Sequence, residues 1–523
     1  MPPSSTAAPA LSVGPDVSLS CHDLHSVARA SHPRIRLSEA GERAVRRAYD
    51  GLATLRRTDT PIYGVTTGFG PLVSYAAAPD TDDTPPDATH NIQQTHAEGL
   101  LAHLSTGTGD WMPPVMVRAM LIARLQTLAQ GHSAIAPAVF EAYAALLAHG
   151  LTPAVPVIGS LGASGDLTPL AHAARVVTGT GRVLQADGST RPAEAALQDI
   201  GRDPLTLSNR DALALVNGTS FMTAYAARAV DRAQRLLHRA EQLTGWIYRL
   251  LGCSHQPLDP RLHDARGHEG QQDSAAAIRD AAGPTMGTSS DRPLQEVYSL
   301  RCAPQILGAA RDSIAHVKGV VETELNGVND NPVLDPDEPA ALHGGNFQGQ
   351  QIAFAADTLN AAVTQIGVLA ERQVDVLLTP DQNGGAPPLL AWEPGVTSGL
   401  AGAQLTATAL VAELRHHAQM TSTSSIPTNG DNQDVVSMGA LAARTADQQT
   451  EYAASILAVL GLALSQLTAL RHHDRAPGPA PAPPNWMPPF DPVMEDRPLR
   501  GDIARIADEW IDPRAAAGSL KQR

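Results

Sequence analysis

Five Ala- and Leu-rich runs, residues 209–251, 298–325, 350–378, 399–420 and 435–471, carry apolar residues at helical spacing. All are longer than an ordinary globular helix. Ala and Leu are the strongest helix formers, and aromatic residues make up only 4% of the chain. Strand signals are few and short. Helices this long without a heptad repeat predict an all-α protein built as an elongated bundle. Shorter helices come first. Ser38 is placed to cap a helix reaching Arg57, with Val45, Ala48, Leu52 and Leu55 at spacings of three and four. Pro113 and Pro114 open a run that closes near Gly131, and Pro137 opens one that ends at Gly150.

These signals divide the chain into a tail (1–18), an N-terminal domain (19–208), a central long-helix bundle (209–475) and a Pro-rich loop with a C-terminal helix (476–523). The Pro-, Ser- and Ala-rich tail is expected to be disordered. It has neither the basic start nor the apolar stretch of a signal peptide. Residues 76–88, acidic and Pro-rich, and 476–489 read as surface loops, the first as an insertion. Residues 452–470 carry no charge over nearly a membrane-spanning length. Ser455, Gly461, Ser465, Gln466 and Thr468 make this the core helix of a bundle instead. No second such segment is expected.

The 523 residues include 38 Lys+Arg and 53 Asp+Glu, a net charge of −15. That balance argues against nucleic acid and against an anionic membrane as partner. Cys21, Cys253 and Cys302 are scattered, without CxxC. They suggest neither a disulfide framework nor a zinc site, and they fit a reducing cytoplasm.

Residues 156–172 read PVIGSLGASGDLTPLAH. A phosphate loop would need a lysine that is missing here. A nucleophile elbow would need Gly where Asp166 stands. His268-Glu269 lacks the second histidine of a zinc-protease motif. An isolated Ala-Ser-Gly would be an ordinary Gly-rich helix start.

Its surroundings change that reading. YGVTTGFG (63–70), ALALVNGTS (212–220), QEVYSLRCAPQ (295–305), ELNGVNDNP (324–332), HGGNFQGQ (343–350) and NQDVVSMG (432–439) accompany it in order. Together they resemble the aromatic amino acid ammonia-lyase and aminomutase family, which includes histidine, phenylalanine and tyrosine ammonia-lyases. The resemblance covers nearly the whole chain. One departure is His268-Glu269-Gly270-Gln271, where the family's HPGQ-like segment has proline.

The resemblance implies a histidine/phenylalanine ammonia-lyase-like fold with a smaller N-terminal region bearing the reactive group. It implies that Ala163-Ser164-Gly165 cyclises to 4-methylideneimidazol-5-one (MIO), with no metal or dissociable cofactor. The residue types suit that chemistry. Glycine tolerates the close approach of its nitrogen to the alanine carbonyl, and serine supplies the hydroxyl to be eliminated. A helix starting near Asp166 points its positive end at the ring. By the same resemblance Tyr63 is the base on a mobile loop, and Asn217 and Tyr298 support the ring and the amine. Arg301 clamps the substrate carboxylate with its planar fork. Gly70, Leu167, Gln295, Phe347, Asn432 and Gln433 line the pocket. Spacings of three and six place Gln295, Tyr298 and Arg301 on one helical face. The active sites are implied to be shared between the subunits of a homotetramer.

Two residues upstream of Gly107-Thr108-Gly109, the pair His103-Leu104 resembles the substrate-reading pair of bacterial tyrosine ammonia-lyases. Alignment on Asn91 would offer Thr95-His96 instead, the pattern of histidine ammonia-lyases. Gln433, where histidine enzymes carry Glu, favours the first. The implied reaction is non-oxidative deamination of L-tyrosine to trans-p-coumarate and ammonia. The alternatives are histidine or phenylalanine as substrate, a tyrosine 2,3-aminomutase, or a non-catalytic helical scaffold. The intact Ala-Ser-Gly, Tyr63 and Arg301 argue against the scaffold.

Overall fold

A computed structural model describes residues 10–57, 60–70, 73, 86–284, 292–335 and 340–513, with side chains from Gln94 onward in the helix Pro86–Leu104. The expected loop at 76–88 falls outside these residues, except that Pro86 already opens that helix. Most described residues are helical, and the strands are two to four residues long.

Local signals act where they were expected. Ser38 Oγ accepts from Gly41 N and caps Glu39–Leu55. Pro114 and Pro137 open Pro114–Leu128 and Pro137–Ala148. Gln350–Leu378 has the bounds expected for it. Two long runs are broken. Residues 209–251 form Asn209–Val216 and Ser220–Leu251, separated by an extended Asn217. Residues 298–325 form Tyr298–Arg301 and Ala303–Asn326, because Pro304 has no N–H to continue the ladder. Gln295 precedes the first of these helices, so it does not share a helical face with Tyr298 and Arg301.

The tail is also shorter than expected. Ala10–Val13 is a strand, paired in parallel with Arg34–Leu37, and Val13 is fully buried. A second helix besides Gly439–His472 is long and apolar enough to cross a membrane, namely Gln350–Leu378. Their apolar windows are 89% and 72% buried inside the protein, as bundle-core helices are.

The chain forms two units that interleave along the sequence, in place of the expected contiguous domains. The first comprises Met1–Arg228, Lys318–Ala356 and Met420–Arg444, and the second Ala229–Val317, Asp357–Gln419 and Thr445–Arg523. Most boundaries fall inside long helices, which outspan a small domain, so no loop or composition shift marks them. The first unit holds all the described strands; the second is helical. In the second unit Arg232 ties three segments together. Its guanidinium meets Asp447 at 3.2 Å, Glu451 at 3.1 Å and Asp512 at 2.5 Å. Arg239 lies 4.7 Å from the Trp486 ring and 5.0 Å from that of Trp510, anchoring the Pro-rich segment.

Candidate active site

In the first unit, the strand Thr108–Trp111 pairs antiparallel with Pro156–Ile158, Thr108 opposite Ile158. Thr108 follows the helix that ends with His103 and Leu104, and Ile158 leads into Gly159–Gly165. One short sheet therefore brings the His103-Leu104 helix end beside Ala163-Ser164-Gly165. Gly107 N donates to His172 Nε2 at 3.2 Å and closes the same junction.

The tripeptide rests on the break between Asn209–Val216 and Ser220–Leu251. Gly165 has φ +70°, and a Cβ there would sit 2.4 Å from Gly218 O. A Cβ on Gly218 would sit 2.0 Å from Arg124 Nη1. Only glycine fits at both positions. Asp166 N donates to Gly218 O at 2.7 Å, and the helix Leu167–Val177 follows at once. Its positive end faces the tripeptide. The Asp166 carboxylate accepts from Ser160 Oγ at 2.7 Å and Met222 N at 2.9 Å. Its full burial outweighs these bonds and pushes the carboxyl up to about 7.

Tyr63 stands on a loop pinned by Ile62 and Val65. Both are buried with Ala48, Leu52, Leu55, Ala134 and Leu334. Each large aliphatic side chain so buried contributes about 1.5–3 kcal/mol. The Tyr63 hydroxyl oxygen accepts from Gly70 N at 2.8 Å. A turn at 428–433 is closed by Thr428 and Gln433, each donating N–H to the other's carbonyl. It carries Gln433 Nε2 to within 2.5 Å of Ser164 Oγ. Asn217 Nδ2 donates to Asn331 O at 3.2 Å, while its Oδ1 is buried and unpartnered.

These groups enclose one cavity of about 1000 Å³. Its walls include Tyr63, Gly70, His103, Leu104, Ala163, Ser164, Gly165, Leu167, Asn217, Phe347, Asn432 and Gln433. A phenol, a side-chain amide, an imidazole and Ala163-Ser164-Gly165 thus line the same space.

A model of the aromatic amino acid lyase family matches residues 19–483. The chain belongs to the aromatic amino acid lyase family. It is a carbon–nitrogen lyase. The lyase is 42% identical over 434 residues to a tyrosine ammonia-lyase of Cupriavidus metallidurans, covering 79% of each chain. It is 38% identical to a histidine ammonia-lyase of Gloeobacter violaceus, covering 87% of this chain and 86% of that one. Its fold matches the crystal structure of a tyrosine aminomutase from Streptomyces globisporus with a TM-score of 0.85 at 35% identity. That match covers 96% of the lyase and 97% of the aminomutase.

Three of the expected site residues are not among those lining this cavity. Gln295, Tyr298 and Arg301 belong to the second unit of the lyase. Gln295 lines a separate cavity of about 1050 Å³ there; Tyr298 and Arg301 line neither cavity. Tyr298 is 68% exposed, and the Arg301 guanidinium carbon lies 4.6 Å from its ring centre. Arg301 Nε donates to Glu296 O at 2.9 Å.

Thr428, Asn429 and Asn331, which are not among the expected site residues, also line the first cavity. Asn429, Gly430 and Asp431 all have positive φ, near +60°. Their Asn-Gly-Asp text was a readable turn signal. His96 lines the cavity too, with Nδ1 buried and unpartnered. His103 is more exposed, and its Nδ1 lies 2.8 Å from Gly99 O.

Proposed function

We propose that the lyase cyclises Ala163-Ser164-Gly165 to MIO and deaminates L-tyrosine to trans-p-coumarate and ammonia. Cyclisation joins the Gly165 nitrogen to the Ala163 carbonyl carbon. Two waters leave, one taking that carbonyl oxygen and one taking Ser164 Oγ. The chain suits the group: Gly165 has no Cβ to resist compression, Gln433 Nε2 donates to the oxygen that must leave, and Asn217 Oδ1 lacks a partner. MIO supplies an electrophilic carbon to activate the substrate toward loss of its amino group.

The remaining steps fall to side chains. Tyr63 takes the proton from the β-carbon, and the C–H electron pair becomes the double bond as the C–N bond breaks. The Gly70 amide donates to the phenol oxygen and fixes where it sits before transfer. Asn217 Oδ1 accepts from the substrate amine. Arg301 holds the carboxylate and Tyr298 supports the amine, both brought to the cavity by a neighbouring subunit of a homotetramer. Leu104, Leu167 and Phe347 pack the aromatic ring, with Gln295 contributed alongside Arg301. The same reading makes this a cytoplasmic enzyme needing no added metal or dissociable cofactor.

The observation that carries the tyrosine reading is His103 on the cavity wall, its Nδ1 2.8 Å from Gly99 O. A carbonyl can only accept, so Nδ1–H donates to Gly99 O, and in the tautomer that does so Nε2 is the ring's acceptor. A phenol hydroxyl is the matching donor, and the tyrosine ammonia-lyase relative agrees with it. The fold match to a tyrosine aminomutase supports a second outcome, return of the ammonia to the β-carbon. Purified enzyme offered L-tyrosine, L-phenylalanine and L-histidine separately decides. We expect p-coumarate from the first as the fastest product. β-Tyrosine would mark an aminomutase, and faster formation of urocanate from histidine would overturn the substrate assignment.

A further inference from the structure

The amides around Tyr63 are accounted for one by one. Ile62 N donates to Thr66 Oγ1 at 2.8 Å, and Gly64 N to Thr67 Oγ1 at 3.2 Å. Val65 N and Thr66 N both donate to Ile62 O, at 3.0 and 2.9 Å. Four of these five consecutive N–H groups are thus satisfied inside the loop. The fifth, Tyr63 N, reaches outside it and donates to His343 Nε2 at 3.0 Å, across 280 residues of sequence. His343 follows the strand Ala340–Leu342, which pairs with Val333–Asp335. That strand pair is itself fixed. Leu334 packs beside Ile62 and Val65, Leu334 N donates to His132 O at 2.9 Å, and Gly344 N donates to Asn331 Oδ1 at 2.9 Å. His343 therefore joins the Tyr63 loop to the segment that also receives Asn217 Nδ2.

We propose that His343 is a positioning residue for Tyr63. Its Nε2 lone pair holds the Tyr63 backbone and so aims the phenol oxygen at the substrate's β-carbon; this rests on Tyr63 being the base. The bond is at the surface, so water can replace it at little cost to folding. What water cannot replace is the fixed direction, and a small misplacement of a reacting group is costly to rate. The role needs an acceptor at that point, which a neutral imidazole or a side-chain amide oxygen provides and a methyl group does not.

The test compares His343→Ala, His343→Gln and Tyr63→Phe with wild type, using L-tyrosine and β-deuterated L-tyrosine, with peptide mass reporting loss of two waters at residues 163–165. We expect His343→Ala to keep the two-water loss and a KM near wild type. Its kcat should fall about five- to tenfold, the effect of roughly 1 kcal/mol, with a larger deuterium effect. His343→Gln should recover most of kcat. If Tyr63→Phe is inactive and His343→Ala retains wild-type kcat, the positioning role is wrong. It is also wrong if Gln fails to rescue, or if His343→Ala loses the mass change. Near-normal turnover by Tyr63→Phe would instead remove the base assignment beneath it.

Discussion

His103 lines the cavity with its Nδ1 held by the Gly99 carbonyl, so Nε2 is the ring nitrogen left for a substrate. A phenylalanine ring cannot satisfy that nitrogen, and an unpaired partner costs on the order of 1–3 kcal/mol. His103→Phe removes the acceptor and fills its space. The ratio of kcat/KM for L-tyrosine over L-phenylalanine should fall about 5- to 150-fold, while His96→Phe should cause no comparable change. The opposite ranking would make His96 the reader of the side chain. Asp166 yields a prediction about stability. Burial raises its carboxyl from 3.8 to about 7. Between those values the native state holds a proton that the unfolded chain has released, so stability falls as pH rises through that interval. Asp166→Asn has no such proton. Its Tm relative to wild type should rise by about 2–4 °C from pH 4 to pH 7 and stay level above; a difference that does not change with pH would contradict this.

Among the elements, the break at Asn217-Gly218-Thr219 does most to build the site. It places Asn217 on the cavity wall and puts Gly218 against both Gly165 and Arg124. Gly218→Ala must displace a buried guanidinium that also donates to Ala214 O and Asn329 Oδ1. It should destabilise the protein by about 3 kcal/mol in urea unfolding. Gly319→Ala, in an open helical position, should be neutral or slightly stabilising. Equal effects of the two would refute the packing argument. This break was not legible in the sequence, since the apolar pattern runs on through it. The Pro304 break, by contrast, has a local signal in the proline itself. What could be read was local: the Ser38 cap, the Pro-opened helices and the uninterrupted 350–378 run all depend on neighbouring residues. The residues on the cavity wall stand in short blocks of text, and it is the order of those blocks along the chain, not any one block alone, that carries the resemblance. The Tyr63–His343 bond and the Asp166 shift depend on distant residues meeting and on burial, which no local text encodes. Most of the unit boundaries were hidden because they lie within helices.

For the whole molecule, the division of site residues matters most. Tyr63, Ser164, Asn217 and Gln433 line a cavity of the first unit, while Tyr298 and Arg301 belong to the second. If a homotetramer completes each site across subunits, two defective chains can repair one another. Ser164→Ala and Arg301→Ala proteins, each inactive alone, should regain turnover when co-expressed, because some sites then combine an intact half from each. No recovery in mixed tetramers of verified composition would place Arg301 in the site of its own chain. Beneath all of this lies the claim that the protein makes its own electrophile from Ala163, Ser164 and Gly165. The most direct measurement is the mass of the peptide containing these residues, taken from enzyme that turns over L-tyrosine. The account predicts a wild-type mass lower than the sequence value by two waters, with the full two-water loss missing and turnover abolished in a folded Ser164→Ala. An unmodified wild-type peptide from active enzyme would contradict it.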